Sequence, residues 1–399
     1  MISDEQIVYL DNNATTQLDP AVIEEMVPFL TKFYGNPSGG YQFGAQVRSA
    51  IDLARERVAA LLGCEPVEVV FTSCGTESNN AAINSAMQSD PARRHIVTTA
   101  VEHSAVLRHC QALEKNGCAV TYLDVDAEGN VDLEELKRAI RPETAIVSVM
   151  WANNETGVMF PVEEIAQIAR RKGVFFHSDA VQVAGKVPIR LRDSEINFLS
   201  LSAHKLHGPK GIGALYVNRR SRFQPSQIGG GQENGRRAGT ENVASIVALG
   251  KAADCALSAM TEEETRVRGM RDRFEKAICE KVSGVSINGN VRARLPNTSS
   301  VAFGGIESDA ALMMLDRHKI CCSAGSACRT GSGEASHVLQ AMDRNDVRAR
   351  GSLRFSFGRF NSEADVDRAI AIVPSVIEKL RKLSAPANSI EQATVGSLT

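Results

Sequence analysis

The segment Ser200-Leu-Ser-Ala-His-Lys205-Leu-His-Gly-Pro-Lys-Gly211 places a lysine directly after an apolar run and before a glycine–proline turn. The run from Ile196 to Leu201 has the length and composition of a buried strand, so a buried element delivers Lys205. A buried amine tends to lose its proton and become a nucleophile, which Schiff-base chemistry requires. A lysine at a strand end can instead extend its ammonium group to water, and only the surrounding residues separate the two interpretations.

Apolar runs of strand length alternate with longer helical patterns from about Thr16 to Met260. The strand-like runs lie at residues 67–72, 95–99, 145–150 and 174–177, and apolar residues have helical spacing in residues 133–140 and 162–171. This alternation predicts an α/β fold with a mostly parallel sheet covered by helices on both faces. Ligands bind at the carboxyl ends of the strands in such sheets, which is where the notable polar residues lie.

The pattern changes after Met260. A charged helix at 261–282 precedes short strands around 299–303 and 352–357 and helices at 308–317 and 363–383. We therefore expect a large domain over residues 16–260 and a smaller α+β domain built from residues 1–15 and 261–384. Residues 385–399 contain little to bury and are predicted to form a flexible tail.

Composition limits the possible partners. The net charge of -2 gives no reason to expect binding to nucleic acid or to an anionic membrane. No stretch approaches the roughly 20 apolar residues of a membrane span, and the first residues lack the features of a signal peptide. The nine cysteines are odd in number and form no C-x-x-C pair, which argues against a disulfide framework and a structural zinc site. These features predict a cytoplasmic enzyme with reduced thiols and no resident metal.

Two further strand ends are suited to a cofactor. Asp179 follows the run at 174–178; it is either a helix cap or an ionised carboxylate that keeps a pyridine nitrogen protonated. Residues 71–80 pass from a strand through Gly75 and Thr76 into a helix start, where backbone N–H groups and the helix dipole favour an anion. No Walker A or G-x-G-x-x-G motif follows this strand, so a nucleotide is not indicated.

Other polar residues could complete such a site. Ser202 and His204 could add donors to the same phosphate. His103 follows a strand and is either an ordinary capping residue or a ring that stacks on a cofactor and moves protons. Asn154 could donate to a cofactor oxygen or to a substrate carboxylate.

Taken together, these residues resemble one family. The motifs, in chain order, are Asp11-Asn-Asn-Ala-Thr-Thr16, Gly75-Thr-Glu-Ser78, Glu102-His103, Asn153-Asn-Glu-Thr-Gly157, Asp179-Ala-Val-Gln182, Ala203-His-Lys205 and Arg237-Ala-Gly-Thr-Glu-Asn242. The chain from about Tyr9 to Leu383 resembles the class I cysteine desulfurases, which are pyridoxal-phosphate enzymes of fold type I with a seven-stranded sheet. Within that class it is most similar to the nitrogen-fixation (NifS-like) branch.

The resemblance implies a role for each site residue. Lys205 would carry pyridoxal 5'-phosphate as an imine, Asp179 would pair with the pyridine nitrogen, and His103 would stack on the ring. The ring hydroxyl would meet Gln182 and Asn154. Thr76 in the Gly75 turn, Ser202 and His204 would hold the phosphate, and Thr240 would reach it from a second subunit of a homodimer.

One thiol lies on a loop of small residues, from Ser323 to Ser332. Such a loop buries little, so Cys328 differs from the other cysteines, and the adjacent Arg329 favours its thiolate. By the resemblance, L-cysteine gives L-alanine and a persulfide on Cys328, which passes sulfur to an iron–sulfur scaffold protein and transiently contacts the nascent cluster. Cys321 and Cys322 are expected to end a strand, and the alternative is that one of them acts as a second thiol.

Arg354 is the predicted anchor for the substrate carboxylate, because its planar guanidinium can bind a carboxylate with two parallel bonds. Arg354 could instead be an exposed arginine on a surface strand, or Arg359 could bind the substrate carboxylate in its place. Two segments depart from the family pattern: Gly39-Gly40-Tyr41 and Arg329-Thr330 after the thiol. Because of these departures, the sequence does not indicate the contacts at one edge of the pocket or which sulfur acceptor is preferred.

Two other functions are alternatives to a cysteine desulfurase. An aminotransferase or lyase of the same fold would use Lys205 without a thiol, and Cys328 argues against it. A scaffold that only recruits assembly partners would not need Lys205, Asp179 and Cys328 together.

Overall fold

The computed structural model of this protein describes residues 7–325, 336–343 and 346–384. The strands are β1 Val8–Tyr9, β2 Val69–Thr72, β3 His95–Thr99, β4 Ala119–Leu123, β5 Thr144–Ser148, β6 Phe175–Asp179, β7 Phe198–Ser202, β8 Gly213–Val217, β9 Val285–Ile287, β10 Thr298–Phe303, β11 Ile320–Cys321 and β12 Ser352–Ser356. The helices are α1 Pro20–Thr31, α2 Gln42–Leu62, α3 Gly75–Ser89, α4 Ser104–Lys115, α5 Leu133–Ala139, α6 Val162–Arg171, α7 Val243–Ser258, α8 Met260–Glu262, α9 Arg268–Lys281, α10 Ser308–Arg317, α11 His337–Met342, α12 Asp346–Arg350 and α13 Glu363–Ser384.

Local sequence explains several element boundaries. The Asp19 side chain accepts a hydrogen bond from the Ala21 N–H at 2.8 Å, and Pro20 occupies the first turn, so α1 begins there. Gly63 ends α2 in the left-handed conformation, with φ of 61°. Helix α6 buries its apolar stripe, including Val162 and Ile165, and turns its charged residues to solvent.

A seven-stranded sheet in the order β2-β8-β7-β6-β5-β3-β4 carries the site. Strand β8 runs antiparallel to both of its neighbours, and the other four pairings are parallel. The predicted fold class, with its mostly parallel seven-stranded sheet, is therefore confirmed. The carboxyl ends of β5, β6 and β7 meet at one edge, because parallel strands all point the same way.

Helices cover both faces of this sheet. Ile96 of β3 packs in the cluster that includes Ile83 of α3 and Val106 of α4. Its neighbour Val97 packs in the cluster that includes residues of α2, α6 and α7, such as Ile165. Successive strand residues thus point to opposite helical layers, which explains why the strands are continuous apolar runs.

A second core lies around a three-stranded antiparallel sheet in the order β12-β10-β9. Phe274 of α9, Phe355 of β12 and Val373 of α13 belong to this core, and so does Val8 near the start of the chain. Strand β1 pairs in parallel with β11, which ties the first described residues to the C-terminal part of the fold.

Some elements differ from the sequence expectation. The helix expected at 261–282 is instead α8, a π-helical turn at Glu263–Val267 and α9, and the turn buries Glu263 and Val267. Residues 385–399 lie outside the described residues. Within the described ranges, no single helix is long and apolar enough to cross a membrane; α7 and residues 260–281 pass that test only as a pair bent by 55°.

Candidate active site

A cavity of about 260 Å³ opens at the carboxyl ends of β5, β6 and β7. Ten of the predicted site residues line it: Gly75, Thr76, His103, Asn154, Asp179, Gln182, Ser202, His204, Lys205 and Arg354. The sequence analysis did not identify Asn13, Cys74 or Asn79, which line the same cavity. The parallel topology explains the convergence, since most of these residues follow directly after a strand.

Lys205 ends a 3₁₀ turn at Ala203–Lys205 that follows β7. Its Nζ donates to the backbone oxygen of Asn13 at 2.6 Å and to that of Ala14 at 2.5 Å. Burial lowers the pKa of Lys205 to about 7, and the positive charges of Arg354 and Lys186 contribute further. The amine therefore exists in substantial part as the free base at neutral pH, as a Schiff-base lysine must.

Asp179 ends β6 and is buried. Its Oδ2 accepts a hydrogen bond from Asn79 Nδ2 at 2.7 Å, and its Oδ1 accepts one from the Val181 N–H at 2.9 Å. Neither donor is a cation, so the carboxylate is oriented but remains able to balance a positive charge in the cavity. Residues 181–186 form a turn and no helix begins there, so the bond to Val181 is a turn contact and not the helix cap that the sequence offered as the alternative.

The N-terminus of α3 forms the anion-binding end of the cavity. Cys74 precedes the helix and makes no side-chain cap, so the first N–H groups of the helix are open to a ligand. A Cβ on Gly75 would lie 2.7 Å from Val181 Cγ2, so only glycine fits at this turn. His204 bonds Thr15 Oγ1 at 3.2 Å, and burial lowers the pKa of His204 to about 4. Burial therefore favours the neutral imidazole of His204.

His103 is the N-cap of α4 and lines the cavity at the same time. Its Nδ1 accepts from the Ala105 N–H at 3.2 Å, which leaves the ring proton on Nε2. Burial lowers the pKa of His103 and favours the neutral ring. The capping and cofactor interpretations are thus compatible in one residue.

Arg354 is buried, with 2 % of its side chain exposed, so it is not a surface arginine. Its Nη2 bonds Asp11 Oδ1 at 2.7 Å, and its Nη1 donates to the Asn154 backbone oxygen at 2.8 Å. Arg359, the alternative, is paired with Asp19 and does not line the cavity. Arg354 is therefore the arginine within reach of a carboxylate bound there.

Thr240, Cys321 and Cys322 do not line the cavity, whereas Cys74 does. Thr240 is exposed and lines a separate depression with Ser73 and Arg237. Cys328 lies outside the described residues. Cys321 ends β11 as expected, and burial raises the pKa of the adjacent Cys322 thiol, which makes that thiol a poor nucleophile.

The cavity fits pyridoxal phosphate. It combines an amine with a lowered pKa, a buried carboxylate, an imidazole and an open helix N-terminus. Gln182 Oε1 is buried and has no partner among the described residues, while Gln182 Nε2 donates to the Asn13 backbone oxygen at 2.9 Å. A ring hydroxyl beside Gln182 would satisfy that oxygen. Among the described residues, no three His, Cys, Asp or Glu side chains are grouped to hold a metal ion.

Comparison with known proteins agrees with this geometry. Residues 8–369 match the aminotransferase class-V family. The chain is 51% identical to a cysteine desulfurase of Trichormus azollae, covering 95% of this chain and 94% of the relative. It is 50% identical to the cysteine desulfurase NifS of Azotobacter vinelandii, covering 94% of each. A solved NifS-like protein superposes with a TM-score of 0.88 at 36% identity, covering 94% of this chain and all of that protein.

These matches cover both cores and the cavity, and the aminotransferase class-V and cysteine desulfurase relatives are pyridoxal-phosphate enzymes. The chain therefore belongs to the aminotransferase class-V family and, within it, to the cysteine desulfurases.

Proposed function

We propose that this chain is a pyridoxal-phosphate-dependent cysteine desulfurase that converts L-cysteine to L-alanine and keeps the sulfur as a persulfide on Cys328. The observation that carries the proposal is the cavity in which Lys205, Asp179 and Arg354 face one another. A reactive amine, a carboxylate for a ring nitrogen and a cation for a substrate carboxylate are the three charged groups that this reaction needs.

The cofactor would be held by residues on three sides. We assign Asp179 to the pyridine nitrogen, and Gln182 and Asn154 to the ring hydroxyl. The Gly75–Thr76 turn, Ser202 and His204 would bind the phosphate. When bound, pyridoxal phosphate acts as an electron sink that weakens the substrate bonds at Cα and, in turn, the bond between Cβ and sulfur.

Protons are moved by Lys205 and His103. The Lys205 amine is assigned to take the proton from the substrate Cα, because burial lowers its pKa to about 7 and favours the unprotonated form. His103 lines the cavity with its ring proton on Nε2, and it can exchange a proton with a group bound there. Burial favours the neutral form of both groups.

Sulfur transfer forms one bond to the substrate sulfur and breaks another. The Cys328 thiolate attacks the substrate sulfur, a sulfur–sulfur bond forms, and the bond between Cβ and sulfur breaks. The electron pair of the broken bond returns to carbon and is protonated, which gives alanine. A reductant or an acceptor protein then takes the outer sulfur from Cys328.

We also propose the oligomeric state, the cellular location and the destination of the sulfur. A homodimer is supported by the exposed Thr240 and by Ile228, which is 90 % exposed on the preceding loop. We propose, from the resemblance to the NifS-like branch, that the sulfur is delivered to an iron–sulfur scaffold protein with a connection to nitrogen fixation. We place this activity in the cytoplasm, where thiols remain reduced.

Arg354→Lys is expected to raise the KM for cysteine by roughly 10-fold or more, because lysine loses the planar fork that binds a carboxylate with two bonds. The visible absorbance of the bound cofactor should persist in this variant. Steady-state sulfide release at varied cysteine concentration measures the effect. An unchanged KM would remove Arg354 from the substrate site.

The function is tested by supplying cysteine and excess reductant to the cofactor-loaded chain. Alanine and sulfide should form in equal amounts. Pyruvate and ammonia in place of alanine would indicate a lyase, and amino transfer to an added keto acid would indicate an aminotransferase. No turnover by the loaded chain would favour a scaffold.

A further inference from the structure

A second lysine lies buried behind Lys205 and has no part in the mechanism above. Lys186 is 6 % exposed, and its Nζ donates to the Gln182 backbone oxygen at 2.9 Å. The preceding Gly185 has φ of 78°, and a Cβ on it would lie 2.9 Å from side-chain atoms of Ala256 and Leu206. The tight turn at Gly185 thus fixes Lys186 in an inward direction.

Short hydrogen bonds connect the two lysines. Lys186 bonds the backbone of Gln182, the Gln182 side chain bonds the Asn13 backbone oxygen at 2.9 Å, and Lys205 bonds that same oxygen at 2.6 Å. Both lysines also line one small cavity of about 10 Å³, which is space for about one water molecule. With so little solvent between them, a charge on Lys186 acts on Lys205 with weak screening.

The charge on Lys186 is not cancelled by a contact partner. It forms no ion pair among the described residues, although Glu263 of the π-helical turn lines the same small cavity. Arg354 is paired with Asp11 at 2.7 Å, and its positive charge also lowers the pKa of Lys205. The titratable and charged groups around the two lysines are Arg354, Asp11, Asp179, His103 and His204 near Lys205, and Glu263, His207, Arg359 and Asp19 near Lys186. Burial lowers the pKa of His204 and His207 to about 4, so both are neutral at pH 7.

We propose that Lys186 is a positioning residue whose fixed, buried positive charge keeps the Lys205 amine free of its proton and ready to bind the cofactor aldehyde. The inference rests on the proposed function, because it takes Lys205 as the cofactor lysine. Burial lowers the pKa of Lys186 itself to about 8, which is above the value of about 7 for Lys205. Positive charge on Lys186 disfavours the protonated form of Lys205, since the two amines lie in one buried region.

The test measures the Lys205 proton directly. The cofactor-free full chain is labelled with a trace of acetic anhydride over a pH series, and the label on each lysine is read by peptide mass spectrometry. Wild type should show a Lys205 midpoint near 7. Lys186→Gln, which keeps a donor for the Gln182 carbonyl but has no charge, should raise that midpoint by about one pH unit.

Matched variants separate charge from structure. Lys186→Arg keeps the charge and should leave the Lys205 midpoint at the wild-type value. Lys172→Gln removes an exposed lysine and should also leave it unchanged. Lys186→Met replaces Lys186→Gln if the latter does not fold, with the same shift expected.

Two results would overturn the proposal: an unmoved midpoint in the neutral variant, or an equal rise in Lys186→Arg. Cofactor loading of the wild type is followed separately by its visible absorbance and by mapping of the reduced adduct. An adduct on a lysine other than Lys205 would defeat the proposed function. An adduct on Lys205 with an unmoved midpoint in Lys186→Gln would defeat only this inference.

Discussion

Lys205→Ala is expected to abolish the visible absorbance of the purified protein and its release of sulfide from cysteine. The band arises from the conjugated imine between the cofactor and the lysine amine, and alanine cannot form that bond. Asp179 and the Gly75 turn remain in place, so the cofactor can still bind weakly without the covalent link. An absorbance scan and a sulfide assay of the variant beside the wild type measure the two losses.

Two other lysines, one exposed and one buried, provide controls for this result. Lys172→Ala removes an exposed amine and should keep both the band and the activity. Lys186 is the buried alternative, so borohydride reduction and peptide mapping of the wild type should locate the cofactor on Lys205 and not on Lys186. A band that survives in Lys205→Ala would show that the wrong lysine has been identified.

Cys328→Ala is expected to keep the visible absorbance and to lower sulfide release by roughly 100-fold or more, because the nucleophile that accepts the sulfur is gone. The cavity residues stay in place, so cysteine should still alter the cofactor spectrum on binding. Spectral titration with cysteine and a sulfide assay separate these two properties.

The other thiols decide how specific this effect is. Cys279 is exposed and far along the chain from the cavity residues, so Cys279→Ala should behave as wild type. Cys74 lines the cavity and is the described thiol best placed to compete for the sulfur. Unchanged sulfide release in Cys328→Ala, or a persulfide mapped to Cys74, would contradict the proposed mechanism.

Much of the site could be predicted because its reactive residues follow directly after strands of the parallel sheet. Asp179 and Lys205 each follow a buried apolar strand, and parallel strands bring such residues to one edge of the sheet. The sequence could also indicate the turn at Gly75, since a strand, a glycine and a helix start follow in order. The structure brings all three into the cavity.

Residues that act through tertiary contacts could not be predicted this way. Asn79 bonds Asp179 across 100 positions of sequence, and its only local signal is its place three residues after Thr76 on α3. Asn13 bonds Lys205 through its backbone oxygen, a role that no side-chain pattern reveals. Arg354 meets Asp11 only because β12 and the first residues of the chain converge.

Two features of the fold could not be predicted from the sequence, and three predictions stay untested. The antiparallel β8 and the π-helical turn at 263–267 have no periodic signal that distinguishes them from a parallel strand and an α-helix. Thr240 lies outside the cavity of its own chain, so its phosphate contact stays a prediction that depends on a second subunit. The division at residue 260 into two domains also stays a prediction, as does the role of Cys328.

The account is tested most directly by one turnover without reductant. The cofactor-loaded chain receives an equal amount of cysteine, and both free alanine and protein-bound sulfur are measured after acid quenching. Alanine and bound sulfur should appear in equal amounts, with the sulfur mapped to Cys328. Alanine without bound sulfur, or bound sulfur without alanine, would contradict the claim that Lys205 and Cys328 serve a single reaction.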